Sequence, residues 1–282
     1  MINSEYLNTF IDAALEEDIG VGDHTTLACI PCTHKGKAKL IIKEKGILAG
    51  VEVAMQVFQR FDPTLKTTVF IGDGNKVVPG DVAFTVEGRT ISILQCERLT
   101  LNIMQRMSGI ATQTGEYAEK LSDTSTKLLD TRKTTPGMRM LEKEAVRIGG
   151  GYNHRTGLFD MILLKDNHID FAGGIEKAID SVHCYLQTIG RRLKIEIEAR
   201  NLNDVDLILK HGKICRIMFD NFDVETTCKA VEMVNRRYET ESSGNINLNN
   251  IRDYALCGVD FISVGALTHQ IKSLDMSLKA TK

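Results

Sequence analysis

The chain has 282 residues, of which 43% are hydrophobic and 26% are charged, a balance that is typical of globular proteins and excludes disordered or fibrous chains. Its formal net charge of −2 argues against a protein whose whole surface binds nucleic acid or an anionic membrane, so any anion-binding site must be a local cluster of positive charge. No uncharged apolar run approaches the about 18 residues that span a bilayer, and the acidic amino terminus is unlike a secretion signal, which predicts a cytoplasmic protein with no membrane partner.

The first part of the chain has the pattern of a small α/β domain. Residues 4–18 place apolar side chains at helical spacing, with Ser4 as the expected cap. From 37 to 93, short alternating stretches separated by glycine predict an antiparallel or mixed sheet, with a helix at 51–61. Residues 94–121 have a long helical pattern that we expect to bridge two domains and to break near Ser108 and Gly109.

A different rhythm follows, in which short apolar runs alternate with helix-length segments. The runs are 127–130, 161–164, 193–197, 214–219, a weak one near 238–240, and 261–264, and the helical patterns include 174–187, 203–211, 224–237 and 247–257. Six successive strand-helix units predict parallel strands with right-handed crossovers. A barrel is favoured over a doubly wound sheet, because no GxGxxG fingerprint follows the first strand.

Cationic side chains follow the first two runs, where the loops of such a fold converge on one mouth. Arg132 and Lys133 come after the first run and Lys165 after the second, while His154 and Arg155 precede the second. A single Arg or Lys is usually a solvated surface charge, but loops that agree in this way predict a site for a ligand rich in negative charge.

Carboxylates end the next two runs at Glu198 and Asp220, with Glu196 on the same side of its strand as Glu198 and one layer deeper. They are candidate Mg²⁺ ligands or, alternatively, partners of Lys133 or Lys165 in an internal ion pair. The small turns at 242–244 and 265–266 offer backbone N–H groups to a terminal phosphate.

Several stretches together resemble the quinolinate phosphoribosyltransferase family, also called nicotinate-nucleotide pyrophosphorylase (carboxylating). They are DTRKTTPGMR at 130–139, AVRIGGGYNHRTGLFDMILLKDNH at 145–168, EIE at 196–198, DN at 220–221, ESSGNI at 241–246 and GVDFISVGALTH at 258–269. The likeness extends to LEEDIGVGDHTT at 15–26 and CERLTLNIMQRMSGIAT at 96–112, so it covers nearly the whole chain in order.

The resemblance implies an amino-terminal open α/β sandwich at 1–108 that includes the bridging helix, an incomplete parallel α/β barrel of about six strands at 109–270, and a tail at 271–282 that returns to the first domain. It implies a homodimer or higher oligomer with a shared active site. The implied reaction condenses quinolinate with 5-phosphoribosyl 1-pyrophosphate, with Mg²⁺ as cofactor, to give nicotinate mononucleotide, pyrophosphate and CO₂ in NAD biosynthesis.

The same resemblance implies roles for individual residues. Lys133, Lys165, Glu198 and Asp220 are the expected catalytic residues, and Glu198 and Asp220 serve the ribose and Mg²⁺, directly or indirectly. Arg98 is expected to reach the neighbouring subunit's site. Arg132, His154 and Arg155 are expected to hold the quinolinate carboxylates, with Lys133 and Lys165 nearby, and Thr131 is a further expected substrate-binding residue. The residues expected to hold the 5-phosphate are Ser243, Gly244, Asn245, Gly265 and Ala266.

Two rival readings remain. A phosphate-binding barrel without catalysis, or a relative associated with molybdenum transport, would keep similar RKT and GGG-HR-GL stretches, and the KDNH at 165–168 favours the enzyme. Cys29 and Cys32, flanked by His24 and His34, form a CxxC that could bind metal, but a lone CxxC is a weak signal. The seven cysteines are odd in number and scattered, which predicts reduced, mostly buried thiols.

Overall fold

The computed structural model describes residues 2–281, and the chain divides into two compact units. The first unit contains the chain up to Gly115, Thr134–Gly150 and the chain from Leu267, and the second contains Glu116–Lys133 and Gly151–Ala266. No helix within residues 2–281 is both long enough and apolar enough to cross a membrane. The cytoplasmic location stays a prediction.

Within residues 2–281 the chain forms eleven helices and twelve strands. The first nine elements are α1 (Ser4–Ile19), α2 (His24–Cys29), β1 (Lys35–Ile42), β2 (Gly46–Ile47), α3 (Val51–Phe61), β3 (Lys66–Val69), β4 (Lys76–Val77), β5 (Val82–Arg89) and α4 (Thr90–Lys120). The others are β6 (Lys127–Leu129), α5 (Arg139–Ile148), β7 (Ile162–Leu164), α6 (Asp166–Ala172), α7 (Ile175–Thr188), β8 (Ile195–Ala199), α8 (Leu202–His211), β9 (Arg216–Asp220), α9 (Val224–Val234), β10 (Glu239–Ser243), α10 (Ile251–Leu256), β11 (Phe261–Ser263), α11 (Ala266–His269) and β12 (Met276–Thr281).

The first unit is built on a four-stranded antiparallel sheet in the order β12-β1-β5-β3. Alternate residues of β1 are buried at Ala38, Leu40 and Ile42, as expected for a strand with one covered face. The expected Ser4 cap of α1 is wrong by one residue. The Asn3 side chain accepts the N–H groups of Glu5 and Tyr6, because Asn places a carbonyl oxygen where these unpaired amides point.

Helix α4 runs unbroken through Ser108 and Gly109, so the predicted break is wrong. The Ser108 hydroxyl accepts the N–H of Ala49 and donates to its carbonyl, at 2.9 and 3.1 Å. A Cβ on Gly109 would lie 2.3 Å from the carbonyl oxygen of Lys272. Both residues are therefore small because another segment packs closely against the helix, and neither interrupts it.

The second unit is built on a six-stranded parallel sheet in the order β6-β11-β10-β9-β8-β7. The consecutive strands β6 and β7 lie at opposite ends of this order and do not pair within the described residues, so the barrel is incomplete. Together with the antiparallel sheet, this confirms the predicted fold class. The strand near 238–240 is longer than expected, and α10 is shorter because the side chains of Asn247 and Asn250 make a turn before it.

The prediction of reduced, mostly buried thiols is wrong for most cysteines. Cys228 on α9 and Cys257 at the end of α10 form a disulfide, with their Cα atoms 4.6 Å apart. The packing of two helices brings them together, which their separation of 29 residues does not reveal. Cys96 is buried, but four other free cysteines are exposed, namely Cys29, Cys32, Cys184 and Cys215.

Candidate active site

The carboxyl ends of all six parallel strands lie along one edge of the second unit's sheet. Strand pairing places Ser243 beside both Asp220 and Ser263, and Ser263 beside Leu129. At the other end of the order, Glu198 lies beside Met218. The residues that follow these strands are those that the sequence singled out, because parallel strands deliver their ends to the same edge.

Below this edge, charged side chains fill part of the sheet's inner face. Residues of a strand alternate between faces, so Glu196 and Glu198 share one face of β8 while the residues between and beside them face the helices. Arg216 pairs in register with Glu196 on one side and Glu239 on the other. One arginine is thereby placed between two acidic strands.

A buried polar cluster results. We define the buried cluster as His154, Glu196, Arg216 and Glu241. The Nε2 atom of His154 lies 3.0 Å from Glu196 Oε2 and 3.5 Å from Glu241 Oε2. Arg216 Nη1 lies 2.9 Å from Glu241 Oε2 and 3.9 Å from Glu196 Oε1, and the guanidinium also stacks on the ring of Phe261 at 3.8 Å. Both carboxylates have no solvent exposure.

The cluster shifts the pKa values of its members strongly. Burial and the neighbouring Glu241 carboxylate raise the pKa of Glu196 to about 7. Burial also favours an uncharged Glu241, but His154 and Arg216 outweigh it and lower the pKa of that carboxyl group. Burial lowers the pKa of His154, yet the hydrogen bonds to Glu196 and Glu241 outweigh burial and raise it to about 9.

The hydrogen bonds of the ring bear on its charge. The backbone N–H of Arg155 donates to His154 Nδ1 at 2.7 Å. The raised pKa of His154 favours a doubly protonated imidazole, which has no acceptor atom. The contact with Arg155 instead requires Nδ1 to be an acceptor. We assign the protonation state of the ring from this contact, because a proton on Nδ1 would point directly at the Arg155 N–H. Neutral His154 then carries its proton on Nε2, facing Glu196.

At the strand ends, Lys165 forms an ion pair with Glu198, and the N–H of Asp166 donates to the second oxygen of that carboxylate at 3.1 Å. Glu198 is 4% exposed, whereas the Lys165 side chain is 47% exposed. The alternative ion pair with Lys165 is thus the one that forms. The Lys165 N–H is accepted by His168 Nδ1 at 3.0 Å, which fixes the start of α6.

Two arginines approach each other beside this pair. Burial and the positive charge of Arg132 lower the pKa of Arg155. Arg155 donates to the carbonyl of Met161 at 3.3 Å, and the preceding residue is fixed by a 2.8 Å bond from the His154 N–H to the buried Asp130. Like charges that are held together in a folded protein mark a place suited to anions.

A turn rich in asparagine lies at the ends of β9 and β10. Asn221 has φ of +57° and donates its N–H to the carbonyl of Ser243, while its side-chain amide donates to Asp220 at 2.9 Å. Asn245 donates to Asn221 Oδ1 at 3.1 Å. Gly244 lies between them with φ of +96°, and a Cβ there would overlap the Asn221 side chain.

The structure does not gather every expected residue. Arg98 lies on α4 in the first unit, where it is exposed and makes no hydrogen bond or ion pair within residues 2–281. Lys133 is exposed, and the Thr131 hydroxyl accepts its N–H at 3.1 Å. In the second unit lie Ser243, Gly244, Gly265 and Ala266, all half-buried.

Sequence reasoning missed Arg216 and the inward role of Glu241. The available signal was the alternation of acids at 196/198 and 239/241, which on a buried strand calls for a cation between them. Within residues 2–281, one set of three potential metal ligands converges, His154 with Glu196 and Glu241. Cys29, Cys32, His24 and His34 form no such set in the described part of the chain.

The chain is similar to known proteins over nearly its full length. The family models "Quinolinate phosphoribosyl transferase, N-terminal domain" and "C-terminal domain" match residues 23–108 and 110–279. Quinolinate phosphoribosyltransferase (decarboxylating) 1b of Nicotiana tabacum is 44% identical over 97% of this chain and 82% of its own length. The chloroplastic nicotinate-nucleotide pyrophosphorylase (carboxylating) of Arabidopsis thaliana is 45% identical over the same shares.

A solved structure agrees with these matches. NadC from Streptococcus pyogenes superposes with a TM-score of 0.93 at 38% identity, covering 100% of this chain and 98% of that one. Both the sequence matches and the superposition include the strand ends, the cationic edge and the asparagine-rich turn. The chain therefore belongs to the quinolinate phosphoribosyltransferase family.

Proposed function

We propose that this chain transfers a phosphoribosyl group to quinolinate, with loss of CO₂, to form nicotinate mononucleotide and pyrophosphate. The observation that carries the proposal is the bond from the His154 N–H to Asp130, which brings the loops of Arg132 and Arg155 together at the edge where Lys165 is exposed. Burial and the charge of Arg132 accordingly lower the pKa of Arg155. Such a concentration of cations suits a planar dianion. Arginine forks bind carboxylates through two parallel hydrogen bonds, each worth about 1.5–3 kcal/mol.

The remaining strand ends suit the sugar phosphate. In this proposal the quinolinate side of the site is formed by Thr131, Arg132, Lys133, His154, Arg155 and Lys165. The turn at 243–245 and the residues 265–266 present backbone N–H groups and small side chains to the 5-phosphate. Asp220 and Glu198 face the ribose between these two sides.

The carboxylates also bear on Mg²⁺. Asp220 is half-buried at its strand end and accepts only from Asn221 within the described residues, which leaves an oxygen of the kind Mg²⁺ prefers. Both oxygens of Glu198 already accept hydrogen bonds. The residues thus fit a direct ligand at Asp220 and an indirect role for Glu198. When bound, Mg²⁺ supplies charge neutralisation for the departing pyrophosphate.

The mechanism follows from charge. Pyrophosphate leaves C1 of the ribose with the bonding electron pair, and the pyridine nitrogen of quinolinate forms a bond to that carbon. The nitrogen becomes cationic, so the adjacent carboxylate leaves as CO₂ and the electron pair left on the ring takes a proton. The protein orients the two substrates and stabilises the charge that develops, with no covalent intermediate on a side chain.

The main test follows release of CO₂ from quinolinate by the purified protein with phosphoribosyl pyrophosphate and Mg²⁺. Nicotinate as the acceptor and a chelator in place of Mg²⁺ serve as negative controls. Arg132→Ala and Arg155→Ala should abolish turnover and leave the fold intact by circular dichroism. Arg191→Ala, at an exposed arginine with no side-chain partner within residues 2–281, is the matched control. Near-normal quinolinate kinetics in either site variant would refute the assignment.

We further propose that Arg98 completes the site of a second subunit in a homodimer, since it is exposed and distant in sequence from the other candidates. An Arg98→Ala chain and a Lys165→Ala chain should each be inactive alone. Mixing them should restore activity, because each hybrid dimer keeps one intact site. Verified subunit exchange without recovery would contradict the shared site.

A further inference from the structure

Both ring nitrogens of His154 lie against polar groups inside the second unit. Nδ1 accepts the N–H of Arg155 at 2.7 Å, and Nε2 faces Glu196 at 3.0 Å and Glu241 at 3.5 Å. The side chain is only 6% exposed. A substrate carboxylate that reached this ring would have to break one of these contacts. The ring is therefore poorly placed to bind substrate directly.

The contacts of the ring lead instead to Arg155. The Arg155 peptide N–H is the next polar group along the chain, and its side chain belongs to the cationic edge next to Arg132. An acceptor at Nδ1 fixes the orientation of the peptide from which the Arg155 side chain leaves. The His154 N–H is itself bonded to Asp130, so the backbone is held on both sides of this residue.

The buried cluster holds the ring in the tautomer that this contact needs. The carboxylates of Glu196 and Glu241 are acceptors, so they favour a proton on Nε2 and leave Nδ1 as the acceptor. Arg216 binds Glu241 at 2.9 Å and balances part of the negative charge. With Arg216 already in place, a divalent cation would meet a fixed positive charge, so the cluster suits a proton rather than a metal ion.

We propose that His154 is a positioning residue, which sets the Arg155 peptide through Nδ1 while Glu241, Glu196 and Arg216 fix its tautomer. The inference rests on the proposed function and deepens it. It assigns the cluster to quinolinate recognition, and in place of the direct contact that the family resemblance implied for His154, the imidazole acts on quinolinate through Arg155.

Two substitutions separate this role from direct binding. In His154→Asn the amide oxygen takes the position of Nδ1 and still accepts the Arg155 N–H, but the contact with Glu196 is lost. In His154→Gln the amide nitrogen takes the position of Nε2 and still donates to Glu196, but the acceptor for Arg155 is lost.

We expect the KM for quinolinate to be about tenfold higher in His154→Gln than in His154→Asn, which corresponds to one lost hydrogen bond. The KM for phosphoribosyl pyrophosphate should be unchanged in both variants, because Arg155 belongs to the quinolinate side. A loss of folded protein would lower the maximal rate without changing either KM. The reverse order, with His154→Gln closer to the wild type, or equal KM values in the two variants, would show that the Nδ1 contact does not set quinolinate binding and would overturn the proposal.

A second measurement depends neither on enzyme activity nor on both His154 variants being folded. Nitrogen NMR of the wild-type protein labelled in its histidine rings reports the tautomer, with whichever substitution folds used to assign the His154 signals. We expect a ring at neutral pH with its proton on Nε2 and none on Nδ1. A proton on Nδ1 would contradict the positioning role. Absence of CO₂ release by the wild-type protein would refute the proposed function and leave the tautomer result as an independent finding.

Discussion

Substitution of Gly244 by alanine should strain the turn between β10 and α10 and lower the free energy of unfolding. The residue has φ of +96°, and an added Cβ would lie 2.2 Å from Asn221 Oδ1, 2.6 Å from its Cγ and 3.0 Å from its backbone nitrogen. A left-handed conformation costs an L-residue about 1–2 kcal/mol, and an extra carbon in a packed site costs about 1–3 kcal/mol, so the sum is about 2–5 kcal/mol.

The assay combines urea unfolding with steady-state kinetics. Gly244→Ala should lower the free energy of unfolding by about 2–5 kcal/mol and raise the KM for phosphoribosyl pyrophosphate more than that for quinolinate. Gly190→Ala is the matched control, because Gly190 also has a positive φ of +63° but a Cβ there meets nothing within 4 Å. The control should lose only about 1–2 kcal/mol and keep both KM values.

The cause can be isolated by removing the atoms that collide. Asn221 has φ of +57°, so Asn221→Gly is compatible with the backbone and deletes the side chain that the new Cβ would meet. The double variant should lose less stability than the sum of the two single variants. Additive losses, or a Gly244→Ala protein as stable as Gly190→Ala, would refute the reasoning.

Two other expectations concern stability. Glu142 is fully buried and accepts from Arg106 Nε at 2.7 Å, so Glu142→Gln should lower the free energy of unfolding by about 2–4 kcal/mol, after allowance for the partly exposed arginine. In Glu144→Gln, whose salt-bridge partner is mostly exposed, the loss should be under about 1 kcal/mol, and equal losses in the two variants would contradict the argument. Thiol titration of the unfolded, unreduced protein should find five free cysteines, and seven would exclude the Cys228–Cys257 bond. Reduction should cost about 3–4 kcal/mol of stability, since it reopens the loop between residues 29 apart.

The edge of the second sheet could be predicted from sequence because parallel strands deliver their last residues to one place. Arg132, Lys165, Glu198 and Asp220 each follow an apolar run, and a strand-helix rhythm needs no long-range information to align such ends. Sequence reasoning also offered Lys165 as an ion-pair partner of Glu198, since a buried carboxylate needs one.

Features that depend on close approach between distant segments could not be predicted. From sequence alone, Gly109 is typical of a break in a helix. The structure shows that it is glycine because the backbone of Lys272, some 160 residues along the chain, packs against it. Arg216 lies inside an apolar run, and only the register of β9 with β8 and β10 shows that acids flank it. The same holds for the disulfide, whose cysteines lie on separate helices.

The strand order of the second sheet has a kinetic consequence. From β7 to β11, each strand pairs with the strand that precedes it in the chain, so pairing can proceed as the polypeptide lengthens. Strand β6 precedes the other strands of this sheet in the chain but pairs with β11, at Lys127 with Phe261, so its partner strand is synthesised last. Contacts between residues so far apart in sequence form slowly. The pairing of β6 with β11 should therefore form more slowly than the pairings between strands that are neighbours in the chain.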